Sequence, residues 1–201
     1  GQIEQIKKAI DTSPDAIVIA PADPKKTAPI LKKAKEKGIK IVLVDSLLED
    51  KTIADSVITT NNVKAGEELG QYAKKLVEAQ DEIVMIGHVK GTSTAVQREE
   101  GMRKGLGEYE KNVKQVIFSG SSYEQAFADT KKVIEENPDL KLIMGMNEYS
   151  AVGAARAVEA TGNAGKIKMV GFDNSLEEIQ MLERGVFDAI IIQKPVNMGY
   201  L

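Results

Sequence analysis

Short apolar runs rich in isoleucine and valine alternate along the chain with segments of helical periodicity. The first segment shows this periodicity at Ile3, Ile6 and Ile10. The pattern predicts an opening helix that ends at Ser13-Pro14, and then helices at 26–37, 64–79, 94–109, 123–137, 148–161 and 175–184. It predicts strands at 16–20, 39–45, 57–60, 82–87, 113–118, 141–146, 167–172 and 188–193. Such alternation indicates crossover units and parallel sheets, so the predicted fold class is α/β.

Two predicted strands, one in each half of the chain, end in the same way. Asp45 follows Val42-Leu43-Val44, and Asp173 follows Val170-Gly171-Phe172. Taken alone, each aspartate is most simply a turn-capping residue. The repetition in two halves, together with Asn147 at the end of a neighbouring strand, favours a ligand site at the carboxyl ends of the strands. The chain therefore reads as two related lobes that would face each other across a cleft.

Composition excludes several classes of function. The chain has 201 residues, of which 42% are hydrophobic, and a formal net charge of −3. Lysine and arginine are spread among glutamates, so nucleic acid is not an expected partner. The absence of cysteine removes disulfides and thiolate chemistry. No apolar run has the length of a membrane span, and the first residues carry no signal-peptide pattern.

The sequence contains partial matches to enzyme and cofactor motifs, but none of these matches is complete. The segment Gly87-His88-Val89-Lys90-Gly91-Thr92-Ser93 has the wrong lysine position and spacing for a phosphate loop. The glycines at 101, 105 and 107 lie within or at the end of a predicted helix, not in a strand-to-helix turn. His88 is the only histidine in a cysteine-free chain, which argues against a metal site and against a histidine-activated nucleophile. We therefore expect no catalytic residue, no metal and no cofactor, and interpret His88 as a structural residue at a strand end.

Three further polar residues have alternative readings. Arg98 lies on a predicted helix, where a surface ion pair with Glu99 is the simpler interpretation. Gln193 ends the last apolar strand and could be a turn residue. Tyr123 begins a helix and could be either an amphipathic core residue or an aromatic wall for the apolar face of a sugar. Spacing alone leaves these alternatives open.

Taken in order, these segments resemble the periplasmic sugar-binding proteins of the ribose-binding type, which are solute receptors of bacterial ABC transporters. The resemblance covers essentially the whole chain. It rests on Ile19-Ala20-Pro21-Ala22-Asp23, Val42-Leu43-Val44-Asp45-Ser46, Thr60-Asn61-Asn62-Val63-Lys64-Ala65-Gly66, Gly91-Thr92-Ser93, Arg98-Glu99-Glu100-Gly101-Met102, Met146-Asn147-Glu148, Val170-Gly171-Phe172-Asp173 and Gln193-Lys194-Pro195.

The resemblance implies a type I periplasmic-binding-protein fold with two Rossmann-like lobes and parallel sheets. It implies an N-lobe of residues 1–60, to which 194–201 returns, and a C-lobe of 61–193. The N-lobe would be incomplete, because full-length members begin with a strand, a helix and a strand and end with a further helix. We expect such an N-lobe to be unstable alone, since removing a central strand exposes ladder groups on its neighbours.

The resemblance also implies a set of ligand-binding residues that hydrogen-bond sugar hydroxyls or line the sugar. They are Asp45, Ser46, Asn62, Arg98, Tyr123, Asn147, Asp173 and Gln193. Asn62 could instead be a hinge residue. Ser46 stands where ribose receptors commonly carry arginine, and Met102 replaces the usual phenylalanine, so ribose itself is not the expected ligand.

The leading hypothesis is an extracytoplasmic solute receptor, not an enzyme. It would bind a monosaccharide or related polyol in the cleft between its lobes, close by a hinge motion and deliver the ligand to a membrane ABC permease. The extracytoplasmic location follows from the resemblance only. The alternative is the effector-binding domain of a lac-repressor-like transcriptional regulator, and an α/β enzyme ranks third.

Overall fold

The computed structural model describes residues 1–200 and contains alternating helices and strands. The strands are β1 (Ala16–Ile19), β2 (Lys40–Val44), β3 (Ser56–Ile58), β4 (Glu82–Gly87), β5 (Val113–Phe118), β6 (Leu140–Gly145), β7 (Lys168–Phe172) and β8 (Ala189–Ile191). The helices are α1 (Gln2–Asp11), α2 (Ala28–Glu36), α3 (Asn62–Ala73), α4 (Ser93–Leu106), α5 (Tyr123–Glu136), α6 (Glu148–Ala160), α7 (Leu176–Glu183) and α8 (Pro195–Tyr200).

The chain divides into two compact units. The first comprises Gly1–Asn61, Gly91–Val96 and the segment that starts at Lys194, and the second comprises Asn62–Lys90 and Gln97–Gln193. Each unit contains one sheet in which all paired strands are parallel. The α/β prediction with parallel sheets is therefore confirmed.

The first unit has a three-stranded sheet in the order β1-β2-β3. Ile41 and Leu43 on the central strand are fully buried beneath α1 and α2, together with Leu31. Side chains alternate between the faces of a strand, and on the opposite face, where Val18 of β1 lies beside Val42 of β2, Val18 is 67% exposed. Parallel sheets are normally covered on both faces, and within residues 1–200 this face of the sheet is covered less completely than either face of the other sheet.

The second unit has a five-stranded sheet in the order β5-β4-β6-β7-β8. Its interior strand β4 is a continuous apolar run in which Ile83, Val84, Met85 and Ile86 are all fully buried. Two hydrophobic clusters, one on each side of the sheet, share these residues alternately. This is the pattern expected of a parallel strand covered by helices on both faces.

Glycines bring α3 and α4 into close contact. A Cβ atom added at Gly101 would lie 2.1 Å from the backbone oxygen of Val63, and one at Gly105 would lie 2.2 Å from that of Glu67. From α3, a Cβ atom added at Gly66 would lie 2.5 Å from the backbone oxygen of Arg98, and one at Gly70 would lie 2.4 Å from that of Met102. Of the three glycines that fail as a nucleotide-binding fingerprint, Gly101 and Gly105 are thus residues of helix packing.

Most element ends differ from the prediction by one to three residues. The largest difference is α3, predicted at 64–79, which spans Asn62–Ala73 and continues as a 3₁₀ turn over Lys74–Leu76. The last strand, predicted at 188–193, ends at Ile191. Among residues 1–200, no helix has both the length and the apolar character needed to cross a membrane.

Candidate functional site

The two matched aspartates share an unusual backbone conformation. Asp45 has φ of 62° and Asp173 has φ of 85°, in the left-handed region that side chains with a Cβ rarely adopt. Each backbone N–H donates to the last residue of the neighbouring strand, from Asp45 to Ile58 at 2.9 Å and from Asp173 to Ile191 at 2.8 Å. The chain therefore turns sharply at the same point of both sheets.

The Asp173 carboxylate is held by two hydrogen bonds within the second unit. Its Oδ2 accepts from the backbone N–H of Glu148 at 3.0 Å, at the first turn of α6. Its Oδ1 accepts from the side-chain nitrogen of Gln193. Because an ionised carboxylate has about four acceptor positions, Asp173 can still accept from ligand hydroxyls. Gln193 is therefore hydrogen-bonded to the candidate site residue Asp173.

Arg98 is buried, and the surface-pair interpretation of this residue is wrong. Its side chain is 3% exposed. Nε donates to Asn62 Oδ1 at 2.8 Å, and Nη1 donates to the backbone oxygen of Met146 at 2.6 Å. The guanidinium lies over the Phe172 ring, 4.4 Å from its centroid. The nearby Glu99 pairs with Arg103 instead, at 2.9 Å. The fixed guanidinium can present charged donors with a defined orientation.

Asn147 combines a structural and a potential binding role. Its Oδ1 caps α6 by accepting from the backbone N–H of Ser150 at 3.0 Å and from the Ser150 hydroxyl at 2.7 Å. Among residues 1–200, its side-chain nitrogen makes no hydrogen bond. The amide can therefore cap the helix with its oxygen and donate to a ligand with its nitrogen.

Tyr123 is already engaged by neighbouring side chains. Its hydroxyl donates to Glu148 Oε1, and burial together with this carboxylate raises the pKa of Tyr123. The Arg156 guanidinium lies 5.0 Å from the centroid of the Tyr123 ring, and the Tyr149 ring lies 4.7 Å from it. Tyr149 is 41% exposed. The expected aromatic wall at Tyr123 stays a prediction.

In the first unit, the predicted residues Asp45 and Ser46 form a small polar group. The Ser46 hydroxyl donates to Asp45 Oδ2 at 3.1 Å. The Thr59 hydroxyl donates to the backbone oxygen of Asp45 at 2.5 Å. These contacts hold the turn after β2 while leaving acceptor positions on the carboxylate.

Two further residues lie beside the candidate site residues of the second unit: Glu148, which the sequence analysis did not single out, and His88, which it interpreted as a structural residue. Glu148 binds both Asp173, through its backbone, and Tyr123, through its side chain. His88 is 8% exposed, and burial and the Arg98 guanidinium lower its pKa to about 4, against the opposing effect of Asp173. His88 directly follows β4, whereas Glu148 lies three residues after the end of β6, so only the position of His88 gave a signal in the sequence.

Other features carry less chemistry. A depression of about 450 Å³ in the first unit is lined by Ser13, Pro14, Asp15, Lys37, Gly38, Ile39 and Lys40. It lies at the amino ends of β1 and β2, so it is at the end of the sheet opposite to Asp45. Within residues 1–200, no group of acidic or histidine side chains has the arrangement of a metal site.

Comparison with known proteins identifies the family. The periplasmic binding protein domain matches residues 1–201, and the chain belongs to that family. It is 33% identical over 190 residues to the D-ribose/D-allose-binding protein of Pseudomonas aeruginosa, with 92% of this chain and 60% of that protein aligned. The chain therefore spans about three fifths of the length of this relative.

Solved structures agree with this assignment. A sugar transporter from Clostridium phytofermentans is 37% identical with a TM-score of 0.92, over 99% of this chain and 71% of that one. An ABC transporter solute-binding protein from Agrobacterium vitis, solved with bound D-fucose, is 31% identical with a TM-score of 0.91, over 98% of this chain and 69% of that one. These coverages fit the expected incomplete first lobe.

Proposed function

We propose that the chain is part of an extracytoplasmic solute-binding protein that binds a monosaccharide or related polyol and passes it to an ABC permease. The observation that supports this most strongly is the polar cluster of the second unit. Its buried Arg98 guanidinium is fixed by Asn62 and the Met146 carbonyl, and its Asp173 carboxylate is fixed by Glu148 and Gln193. The sugars in the names of the relatives favour the same ligand class.

Each residue of this cluster has a role that suits a polyhydroxylated ligand. Asp173 accepts from sugar hydroxyls, while Arg98 and Asn147 donate to ring or hydroxyl oxygens. Gln193 and Asn62 orient Asp173 and Arg98 through the hydrogen bonds described above. In the proposal, Asp45 and Ser46 contact the sugar as well, and Tyr123 contributes aromatic surface.

Binding requires no chemical step in this proposal. Charge-assisted hydrogen bonds contribute roughly 1.5–3 kcal/mol each, and a micromolar complex needs roughly 8 kcal/mol. A few such bonds therefore suffice after ordering costs are met. The relatives are transport binding proteins, which favours a receptor over an enzyme, and no observation favours the transcriptional-regulator alternative.

The test is calorimetric titration with a panel that contains D-ribose, D-allose, D-fucose and D-arabinose. We expect at least one sugar to bind, and Asp173→Asn to weaken that binding by about tenfold to a hundredfold, because a charged acceptor becomes neutral. Asparagine tolerates the left-handed backbone of Asp173, so the fold should be kept. The control is Asp139→Asn, a change at an exposed aspartate that precedes β6, at the amino end of the sheet and therefore opposite to the carboxyl ends that carry the candidate site. Unchanged affinity in the Asp173 variant would contradict the proposed site.

A further inference from the structure

Glu178 is a fully buried carboxyl group close to the candidate site. It is 0% exposed and lies on the first turn of α7. Its Oε2 accepts from the backbone N–H of Ser175 at 2.8 Å and from the Ser175 hydroxyl at 3.0 Å. The Ser175 hydroxyl accepts in return from the backbone N–H of Glu178 at 3.3 Å, which completes a capping box.

The other oxygen of Glu178 has a different environment. Among residues 1–200, Oε1 is buried and has no hydrogen-bond partner. An ionised oxygen in such a position costs far more free energy than a protonated one. Oε1 is therefore the natural position of a proton, because Oε2 is occupied as an acceptor.

The charged groups around Glu178 also oppose its ionisation. Asp173 after β7 and Glu148 on α6 are the carboxylates that act on it, whereas its own neighbour Glu177 is paired with Arg156 of α6 at 2.7 Å. Burial and then these two like charges raise the pKa of Glu178 to about 7, against the lowering effect of the Ser175 hydrogen bonds.

We propose that Glu178 acts as a neutral carboxylic acid that positions Asp173, and that loss of its proton weakens sugar binding at Asp173. The inference rests on the proposed function for its ligand, but its structural part does not. Only Asn174 separates Asp173 from Ser175, the residue that Glu178 holds. The left-handed backbone of Asp173 persists because the surrounding contacts fix it.

In this proposal, deprotonation of Glu178 acts on Asp173 through the first turn of α7. Deprotonation places a third negative charge beside Asp173 and Glu148 and leaves an uncompensated charge in a buried position. The charge is relieved when water reaches Oε1, which requires the first turn of α7 to loosen. Ser175 then moves with that turn, and Asp173 loses the geometry in which it accepts from the ligand.

The first test is the pH dependence of affinity for each sugar that binds among D-ribose, D-allose, D-fucose and D-arabinose, measured by calorimetry on the full chain. If binding requires protonated Glu178, affinity falls by about tenfold from pH 6 to pH 8. Glu178→Gln keeps a neutral side chain of the same size and should remove this dependence. The matched control is Glu183→Gln on the exposed end of the same helix, which should retain it. A pH-independent wild type, or a Glu178→Gln variant with the wild-type profile, overturns the inference.

The second test needs no ligand and separates the two proposals. NMR titration of the side-chain carboxyl carbon of Glu178 should show a midpoint near neutral pH, and the backbone amide signal of Asp173 should shift with the same midpoint. If no sugar binds but this coupling is present, the proposed function fails and the positioning role stands. If the Asp173 amide does not shift with the midpoint of Glu178, or shifts with the same midpoint in Glu178→Gln, the positioning role is wrong.

Discussion

Arg98 shows how one buried residue organises the site of the second unit. Its guanidinium contacts α3 through Asn62, the end of β6 through Met146, and the end of β7 through the Phe172 ring. A charge in a buried position is tolerated only when its donors are satisfied. Arg98 thus links three elements whose ends carry candidate ligand contacts.

We predict that Arg98→Met lowers the free energy of unfolding by about 2–4 kcal/mol, because the oxygens of Asn62 and Met146 both lose a donor while buried. Methionine keeps much of the side-chain volume, so the loss reports polar contacts more than packing. Chemical denaturation measures the effect.

The control for this prediction is Arg103→Met on the same helix. Arg103 pairs with Glu99 in a partly exposed position, and such pairs contribute about 1 kcal/mol or less. Equal effects of the two substitutions would show that the buried contacts of Arg98 do not stabilise the unit.

The sequence predicted the location of some candidate site residues but not of others. Asp45, Asp173 and Asn147 could be placed at strand ends because an apolar run stops directly before them. The burial of Arg98 could not be predicted, since helical periodicity does not reveal the partner helix. Its contact with Asn62 depends on a residue distant in sequence, and neither Glu148 nor Glu178 stands out by spacing.

At the scale of elements, the contact between α3 and α4 places Arg98 beside Asn62. Gly66 and Gly101 lie where the two backbones are closest: a Cβ atom at Gly66 would lie 2.5 Å from the backbone oxygen of Arg98. The hydrophobic periodicity predicted both helices. For Gly101 and Gly105 at their interface, the sequence excluded a nucleotide-binding loop but did not indicate helix packing. The structure assigns them a packing role that fixes the position of the guanidinium.

We predict that Gly101→Ala destabilises the second unit by about 1–2 kcal/mol. Alanine favours a helix by up to about 1 kcal/mol relative to glycine, but its Cβ would lie 2.1 Å from the backbone oxygen of Val63. The backbone oxygen of Val63 cannot rotate away from the added methyl group as a flexible side chain could. Overpacking of this kind typically costs about 1–3 kcal/mol.

Gly199→Ala is the control, because that position in α8 has no atom within 4 Å of an added Cβ. Urea denaturation should leave its stability unchanged or slightly raised. A Gly101→Ala variant that is as stable as the Gly199→Ala variant would contradict the close-packing account.

At the scale of the whole molecule, the stability of the folded chain depends on pH through two buried groups with opposite effects. The pKa of His88 is lowered from 6.5 to about 4, so its contribution is present above pH 6.5 and is lost as pH falls toward 4. The pKa of Glu178 is raised from 4.5 to about 7, so its contribution is present below pH 4.5 and is lost as pH rises toward 7. Each shift corresponds to roughly 3 kcal/mol, and the two slopes oppose each other between about pH 4.5 and 6.5.

We therefore predict that single variants have steeper pH dependence of stability than the wild type. His88→Gln should lose stability as pH rises from 4.5 to 7, because only Glu178 remains, and Glu178→Gln should gain stability as pH rises from 4 to 6.5. Denaturation midpoints across this range measure both slopes. Parallel profiles in the wild type and both variants would show that these groups do not titrate in this way.

In the first unit, the hydrophobic pattern predicted the secondary structure better than it predicted how fully the sheet is covered. The strands and helices follow from the hydrophobic pattern, and their parallel pairing is confirmed. Val18 remains 67% exposed on one face of the sheet, and such a face is normally covered in a parallel sheet. The chain spans 60% of the Pseudomonas aeruginosa relative, a difference that the family resemblance implied but that the hydrophobic pattern alone did not show.

The central claim is that a monosaccharide binds at the polar cluster formed by Arg98, Asn147 and Asp173. The most direct measurement is an NMR titration of the isotopically labelled chain with D-ribose, D-allose, D-fucose and D-arabinose, which detects weak binding and locates it at once. We predict saturable shifts of the Arg98 Nε–H, the Asn147 side-chain amide and the Asp173 backbone amide with at least one of these sugars. Saturable shifts confined to other surfaces, or no shift of these signals at high concentrations of all four sugars, would contradict the account.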